Sequence, residues 1–323
     1  MSKRKLIVIL YSEAKRSYFS SEEQYLTEVE VYKRVKEVKK YIDKLGYKTI
    51  LLPGNINSIF KLKSLRPILV FNLVDSVYGH EELISIIPAA LELLKLSYTG
   101  AGVTGLAING SKYLTKVLLK ECCLPVPRFQ LFKESSEELS KNLQFPLIVK
   151  LNESHGSLEI NQSSVVENKK NLKKRINYLL KKYRQTVIVE EYVRGKEVTV
   201  LVIDGKEKII LAEERILFKK QKYPLYDYEA AWGEKEIYDC LPYRLSKLMK
   251  NILIKAFEVL HFKDYARFEI IVKNEKDFYI IDPNANPSFG PYGTTSGPFG
   301  YLLYLNKIPF IDVVKKIIQV NSS

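Results

Sequence analysis

An α/β fold at the N-terminal end and an α+β fold beyond it follow from three observations. Strand and helix patterns alternate over residues 5–105, the arrangement that builds a small parallel sheet. From Thr186 onward the pattern changes to long β runs. Near the C-terminal end, two apolar strand-like runs flank the polar turn Lys273-Asn274-Glu275-Lys276-Asp277 and read as a β-hairpin. A chain of 323 residues exceeds one ordinary core and suggests two or three domains.

In chain order, Lys5–Tyr11 is an apolar run of buried-strand type. Val31, Val35, Val38, Ile42 and Leu45 then recur at spacings of three and four, and Gly46 stops the helix they define. Tyr47–Leu52 and Ile68–Leu73 read as strands, Leu83–Leu94 as a helix, and Ser97–Gly102 as a turn. A helix over Lys112–Cys122 is closed by Leu124-Pro125-Val126-Pro127. Ser135-Ser136-Glu137-Glu138 predicts a capped start to a short helix. Pro146–Lys150 is a strand ending in lysine, and Asn168–Tyr183 a basic amphipathic helix. Val187–Val193, Val198–Ile203 and Ile209–Glu214 are strands, with Asp204-Gly205 as a turn. Arg244–His261 and Ile308–Val320 are helical.

Composition narrows the function classes. Hydrophobic residues make up 46% and charged residues 27%, the balance of a soluble globular protein. No apolar run reaches membrane-spanning length, and the strand after Met-Ser-Lys-Arg-Lys is too short for a leader's apolar segment. Three cysteines, two of them the adjacent Cys122 and Cys123, make no disulfide framework, so a cytoplasmic location is expected. The net charge of +14 would suit a nucleic-acid partner. Its lysines, however, are spread over helix faces such as Lys169–Arg175, so no nucleic acid or membrane partner is expected. A positive field also favours a small polyanion.

The hairpin carries the chemistry. Glu269 lies in its first strand, two residues after Arg267; Asp282 and Asn284 lie two apart in its second. A period of two puts Asp282 and Asn284 on one face. Oxygen-bearing side chains converging beside an arginine are what a Mg²⁺–phosphate site needs, because Mg²⁺ takes few protein oxygens and leaves its other positions to phosphates and water. Lys150 ends a strand and precedes Glu153-Ser154-His155-Gly156-Ser157. A lysine there can reach phosphate oxygens, and a loop of small residues lets backbone N–H groups approach them.

Ala266–Val272 followed by Phe278–Pro287 resembles the Mg²⁺-binding hairpin of ATP-grasp ligases, most of all the D-alanine–D-alanine ligase-like branch. The family pattern is Arg-x-Asp/Glu, a strand, then Glu/Asp-x-Asn-x-x-Pro. The likeness runs over about 300 residues, with the motifs in order. It implies an ATP-grasp fold: a Rossmann-like N-terminal domain (1–105), a small central α+β domain (106–189) and a larger C-terminal α+β domain (190–323), with ATP between the last two. It further implies a ligase that phosphorylates a carboxylate with ATP and joins the acyl phosphate to an amine.

The resemblance also assigns residues. Lys112 and Lys150 are similar to the family's two nucleotide lysines, and Gly156 and Ser157 belong to the phosphate lid, in which Glu159 stands where glycine is usual. Glu190 would accept from the adenine amine beside Glu191, Val193 would offer its N–H to the ring, and Glu197 would bind the ribose hydroxyls. Glu269, Asp282 and Asn284 would hold one or two Mg²⁺ ions, with Mn²⁺ as a substitute. Arg267 would stabilise the reacting phosphoryl group, and the backbone around Ser288 would complete an oxyanion site. Ser296 and Gly297 would meet a substrate carboxylate at a helix N-terminus.

Two departures bear on substrate and activity. Dipeptide-forming relatives carry a histidine–glycine motif and a serine–glutamate motif in the N-terminal domain. Here Asp75–Glu82 stands in the first place, nothing close stands in the second, and Glu28 and Glu30 are candidates for the amine. Tyr226–Trp232 is similar to a loop whose lysine grips ATP phosphates, but Ala231 replaces that lysine; Lys219, Lys220 and Lys222 lie just upstream. The substrates, expected to be amino acids or small peptides, stay open, as does a homodimer. The alternative is a basic ATP-binding protein that has lost ligation and binds RNA or another acidic macromolecule.

Overall fold

The computed structural model describes residues 5–19, 22–154, 156–218, 221–226, 238–293 and 297–322. The N-terminal region builds β1 (Leu6–Tyr11), α1 (Glu22–Lys44), β2 (Lys48–Pro53), α2 (Ile56–Leu65), β3 (Leu69–Leu73) and α3 (Ile86–Leu93). Its three strands are parallel in the order β2-β1-β3. The heptad-like spacing in α1 buries Val31, Val35, Val38 and Ile42 against this sheet and against the C-terminal helices.

The central region holds α4 (Val103–Asn109), α5 (Lys112–Glu121), β4 (Phe129–Phe132), β5 (Leu147–Leu151), β6 (Val165–Val166), α6 (Lys169–Tyr183) and β7 (Val187–Glu191). Its antiparallel sheet runs β4-β7-β5-β6. Leu172, Ile176 and Leu179 of α6 pack on Val149, Leu151 and Val187, leaving the lysines of that helix to solvent. Asn168 caps α6 by accepting from Asn171 N.

The C-terminal region contains β8 (Lys196–Ile203), β9 (Ile209–Leu217), β10 (Tyr238–Pro242), α7 (Lys247–Val259), β11 (Tyr265–Val272), β12 (Phe278–Asn284), α8 (Pro298–Leu305) and α9 (Phe310–Asn321). The sheet order is β10-β9-β8-β11-β12. One face, with Val198, Val200, Phe268 and Ile270, packs on α7. The other face is divided. Leu201, Ile203, Leu211 and Tyr265 are covered by α8, α9 and the N-terminal region, while the residues nearer the central sheet on that face are polar and line a cleft.

The expected short helix at Ser135 is not formed. Glu137 instead accepts from the backbone N–H groups of Lys133 and Glu134, at 2.6 and 2.8 Å, so its carboxylate closes a turn and no helix follows. Sequence patterning overlooked α2, α4, β4, β6 and β10, all short, and ended β9 early.

Candidate active site

The hairpin register builds the floor of the site. Arg267 stands opposite Asn284 and Glu269 opposite Asp282, with a register shift just after Glu269. On the other side of β11, Glu269 pairs with Thr199, which pairs with Glu213. Glu213, Thr199, Glu269 and Asp282 therefore form one row across four strands, with side chains on one face. In the neighbouring row Glu197 stands opposite Arg215.

Across the cleft, β5 and the following loop supply the roof. Two adjoining cavities, of about 210 and 470 Å³, lie between the central and C-terminal sheets. The first is lined by Lys112, Lys150, Gly156, Ser157, Arg267 and Asp282, and extends to Ser288 and Gly297. The second is lined by Lys150, Glu190, Glu191, Val193 and Glu197. Every described residue assigned to the site thus lies on the cleft except Asn284, whose place beside it follows from its pairing with Arg267. Ser296, His155, Lys219, Lys220 and Ala231 lie outside the described residues. Lys222 pairs with Glu167 and lines neither cavity.

Glu190 is the most deeply set of these carboxylates. It is 1% exposed, and its Oε2 lies 3.2 Å from Lys150 Nζ and 3.4 Å from Lys116 Nζ. Burial opposes its ionisation, but the two lysines overcome this and hold it below its ordinary value. Glu190 Oε1 is buried without a hydrogen-bond partner. A buried acceptor left open on a cavity wall suits the amine donor of an adenine ring. Glu191 Oε1 accepts from Gln144 N at 3.0 Å.

Lys116 was missed by sequence reading. It sits one turn after Lys112 on the same face of α5, and its Nζ also donates to Ile281 O at 3.0 Å. The spacing of the two lysines was the available signal. Lys112 Nζ approaches Asp282 Oδ1 at 3.9 Å and donates to Ser154 O, linking the lid to the hairpin.

The loop after β5 has the backbone conformation that glycine suits. Gly156, Ser157 and Glu159 all have positive φ, at 67, 58 and 62°, a region where L side chains are strained. Glu159 accepts that conformation because its carboxylate is gripped by Lys182, Tyr183, Tyr178 and Arg175, at 2.7, 2.8, 2.9 and 3.2 Å. Burial works against ionisation there, yet these donors bring Glu159 down to about 2. Gly297, at the N-cap of α8, has its own requirement: a Cβ would come within 3.0 Å of the Ser288 side chain.

Arg215, Thr199 and Arg34 were also missed. Arg215 reaches Glu197 and Glu269, and its guanidinium lies 4.0 Å from the centre of the Tyr226 ring. Thr199 Oγ1 donates to Glu269 Oε2 at 2.8 Å. From the N-terminal region Glu30 and Arg34 reach the first cavity, and Arg34 pairs with Asp75 at 2.6 Å. For a divalent ion, Asp282 and Asn284 present oxygens on one face, Asn284 Oδ1 already accepting from Asn286 N at 2.8 Å. Among the described residues no three His, Cys, Asp or Glu side chains converge as a cage. A donor set this small fits an ion that keeps water or phosphate oxygens.

Two facing antiparallel sheets with a lysine-lined cleft between them define an ATP-grasp fold of the D-alanine–D-alanine ligase type. Residues 118–319 match the family described as D-ala D-ala ligase C-terminus, and the chain belongs to that family. It is 28% identical over 255 residues to a D-alanine--D-alanine ligase of Aquifex aeolicus, covering 78% of this chain and 83% of that one. Similarity to a D-alanine--D-alanine ligase of Carboxydothermus hydrogenoformans is 25% over 290 residues, covering 86% and 88%. The fold is shared with the crystal structure of D-alanine--D-alanine ligase from Bacillus anthracis complexed with ATP, at a TM-score of 0.72 and 18% identity, over 99% of this chain and 97% of that one.

Proposed function

We propose that this protein is an ATP-dependent carboxylate–amine ligase that makes an amide bond between amino acids or small peptides, with its three sheets as domains over 1–105, 106–189 and 190–323. The observation that carries this reading is the register of β11 on β12, which sets Arg267, Glu269, Asp282 and Asn284 on one face beneath Lys112 and Lys150.

In the proposed reaction a substrate carboxylate oxygen attacks the γ-phosphorus of ATP. The bond from that phosphorus to the bridging oxygen breaks, and ADP leaves with the electron pair. The amine then attacks the acyl carbon, a C–N bond forms, and the acyl oxygen departs with phosphate as the nitrogen loses a proton. Little covalent chemistry falls to the protein, so positioning and fixed charge dominate. Glu190 and Val193 hold the adenine, Glu197 the ribose, and Lys112, Lys150 and the backbone of Gly156 and Ser157 the phosphates. Arg267 faces the transferring group, with a fork suited to two oxygens of one phosphoryl. The backbone near Ser288 completes the oxyanion site, and Gly297, at the N-cap of α8, meets a substrate carboxylate. Glu269, Asp282 and Asn284 are the residues that would hold Mg²⁺, which would supply positive charge to the phosphoryl oxygens. The three free cysteines accord with a reducing cytoplasm. Among the described residues no helix is long and apolar enough to cross a membrane.

The test is ADP release across a panel of amino acids and dipeptides, with product masses read directly. Release that depends on an added amine, together with a product lighter by one water than its two substrates, is the expected result. Mg²⁺-independent retention on nucleic acid without turnover of any amine would favour the binding-only alternative.

A further inference from the structure

Arg215 is built into the floor of the cleft in a way the reaction scheme above leaves unused. Its side chain is 4% exposed, and it lines both cavities. Nη1 lies 3.2 Å from Glu197 Oε1 and 3.1 Å from Glu269 Oε2, and Nη2 donates to Glu269 Oε1 at 3.2 Å. The face of its guanidinium rests against Tyr226. One buried cation therefore spans the row that carries Glu197 and the row that carries Glu269.

The consequence falls on Glu269. An ionised carboxylate accepts at about four lone-pair positions. Oε2 takes the Thr199 hydroxyl at 2.8 Å as well as Arg215. Oε1 takes Arg215, and Arg267 Nε lies 3.0 Å from it. Both oxygens already face arginine nitrogens within 3.2 Å. A divalent ion bound there would have to displace a guanidinium or sit against two of them, and either is costly in a buried site. On the next strand Asp282 Oδ1 has Lys112 Nζ at 3.9 Å, farther than the arginine nitrogens stand from Glu269, and Asn284 Oδ1 accepts from Asn286 N at 2.8 Å.

Resting on the nucleotide-site reading above, we propose that Arg215 is a resident cation of the phosphate end of the cleft. It occupies Glu269 and Glu197, which narrows the Mg²⁺ group given above by withdrawing Glu269 from it; it supplies charge that a second divalent ion would otherwise bring, and leaves one ion to Asp282 and Asn284. It also fixes Glu197 through Oε1, which leaves Oε2 to receive a ribose hydroxyl. Arg215 is in this sense a positioning residue for two carboxylates as well as a source of charge.

The experiment uses the full chain with Mn²⁺ and the ATP analogue in which an imide bridges the β- and γ-phosphorus. Bound Mn²⁺ is counted from the loss of the free-ion resonance, and analogue affinity is measured by calorimetry. One Mn²⁺ per chain is expected for the wild type and for Glu269→Gln, with its loss in Asp282→Asn. Arg215→Met should weaken the analogue about tenfold or more, the usual scale for losing bonds to charged groups. Arg215→Lys, which keeps the charge and risks less to the fold, should recover part of that loss. Two ions in the wild type, loss of the ion in Glu269→Gln, or an unchanged affinity in Arg215→Met overturns the proposal. No binding of the analogue by wild-type protein overturns the nucleotide-site reading itself, and the inference with it.

Discussion

Lys116 Nζ lies 3.4 Å from Glu190 Oε2, and each side chain is 1% exposed. A fully buried ion pair of this kind ties the start of the central region to the end of β7, behind the cleft. Such a pair adds little stability beyond what two well-packed apolar residues would, but breaking it leaves an uncompensated charge.

Lys116→Met is therefore expected to destabilise the protein by about 3 kcal/mol, read from urea unfolding. Lys150 remains within 3.2 Å of Glu190, which limits the loss. The double variant Lys116→Met with Glu190→Leu should regain much of the stability while losing ATP binding. If the single variant is as stable as wild type, the pair carries no structural weight.

Arg267→Lys should reduce amine-dependent ADP release by about 10²–10³-fold, the range seen when one charge-stabilising donor is removed. ATP affinity should change far less, because the proposed role places the arginine at the reacting end. Separate measurement of ATP binding and turnover decides the point; collapse of binding with normal turnover of bound ATP would remove the role given to Arg267.

Glu159 links the lid to α6 and should make stability fall at low pH. Its carboxyl is held at about 2 in the folded state, below the ordinary carboxylate range. The stabilisation is present above that ordinary range and is lost as pH falls toward 2, since the unfolded chain binds the proton first. The melting temperature of wild type should drop more steeply between pH 5 and about 2 than that of Glu159→Gln. Parallel curves for the two proteins would show that the four donors contribute nothing net.

Glu28 has the opposite sign. Burial, with Asp75 nearby, pushes it up to about 8. Folded protein then holds a proton that unfolded protein releases between the ordinary value of about 4.3 and 8, so stability declines as pH rises through that window. Glu28→Gln should flatten the decline and be the more stable protein at pH 9. Melting curves that stay parallel from pH 5 to 9 would contradict it.

Local pattern carried a large part of this protein. Spacings of three and four in α1 and α6 determined which faces are buried, because a helix can hide only one stripe. Alternation in the hairpin determined that Asp282 and Asn284 share a face, because successive strand residues point opposite ways. That Lys150, Gly156 and Ser157 line the cleft was legible because a strand end and a glycine–serine loop have local meaning. The Ser135 segment misled, since its glutamate had a turn to close as well as a helix to cap.

What the tertiary structure alone decided is which distant residues meet. Arg215 and Glu269 are 54 residues apart and touch only because β8 separates their strands in one sheet. Nothing around Arg215 distinguishes it locally from a solvated arginine in a basic chain. Lys116 looked like one more helical lysine until β7 brought Glu190 against it. The arrival of Glu30 and Arg34 at the cleft depended on how α1 packs against α9, with Tyr41 edge-on to Phe310 at 5.0 Å. Sequence period reports the face a residue takes on its own element. The charge it meets there is set by long-range packing, and that is why the family was readable from the chain while the electrostatic wiring of its site was not.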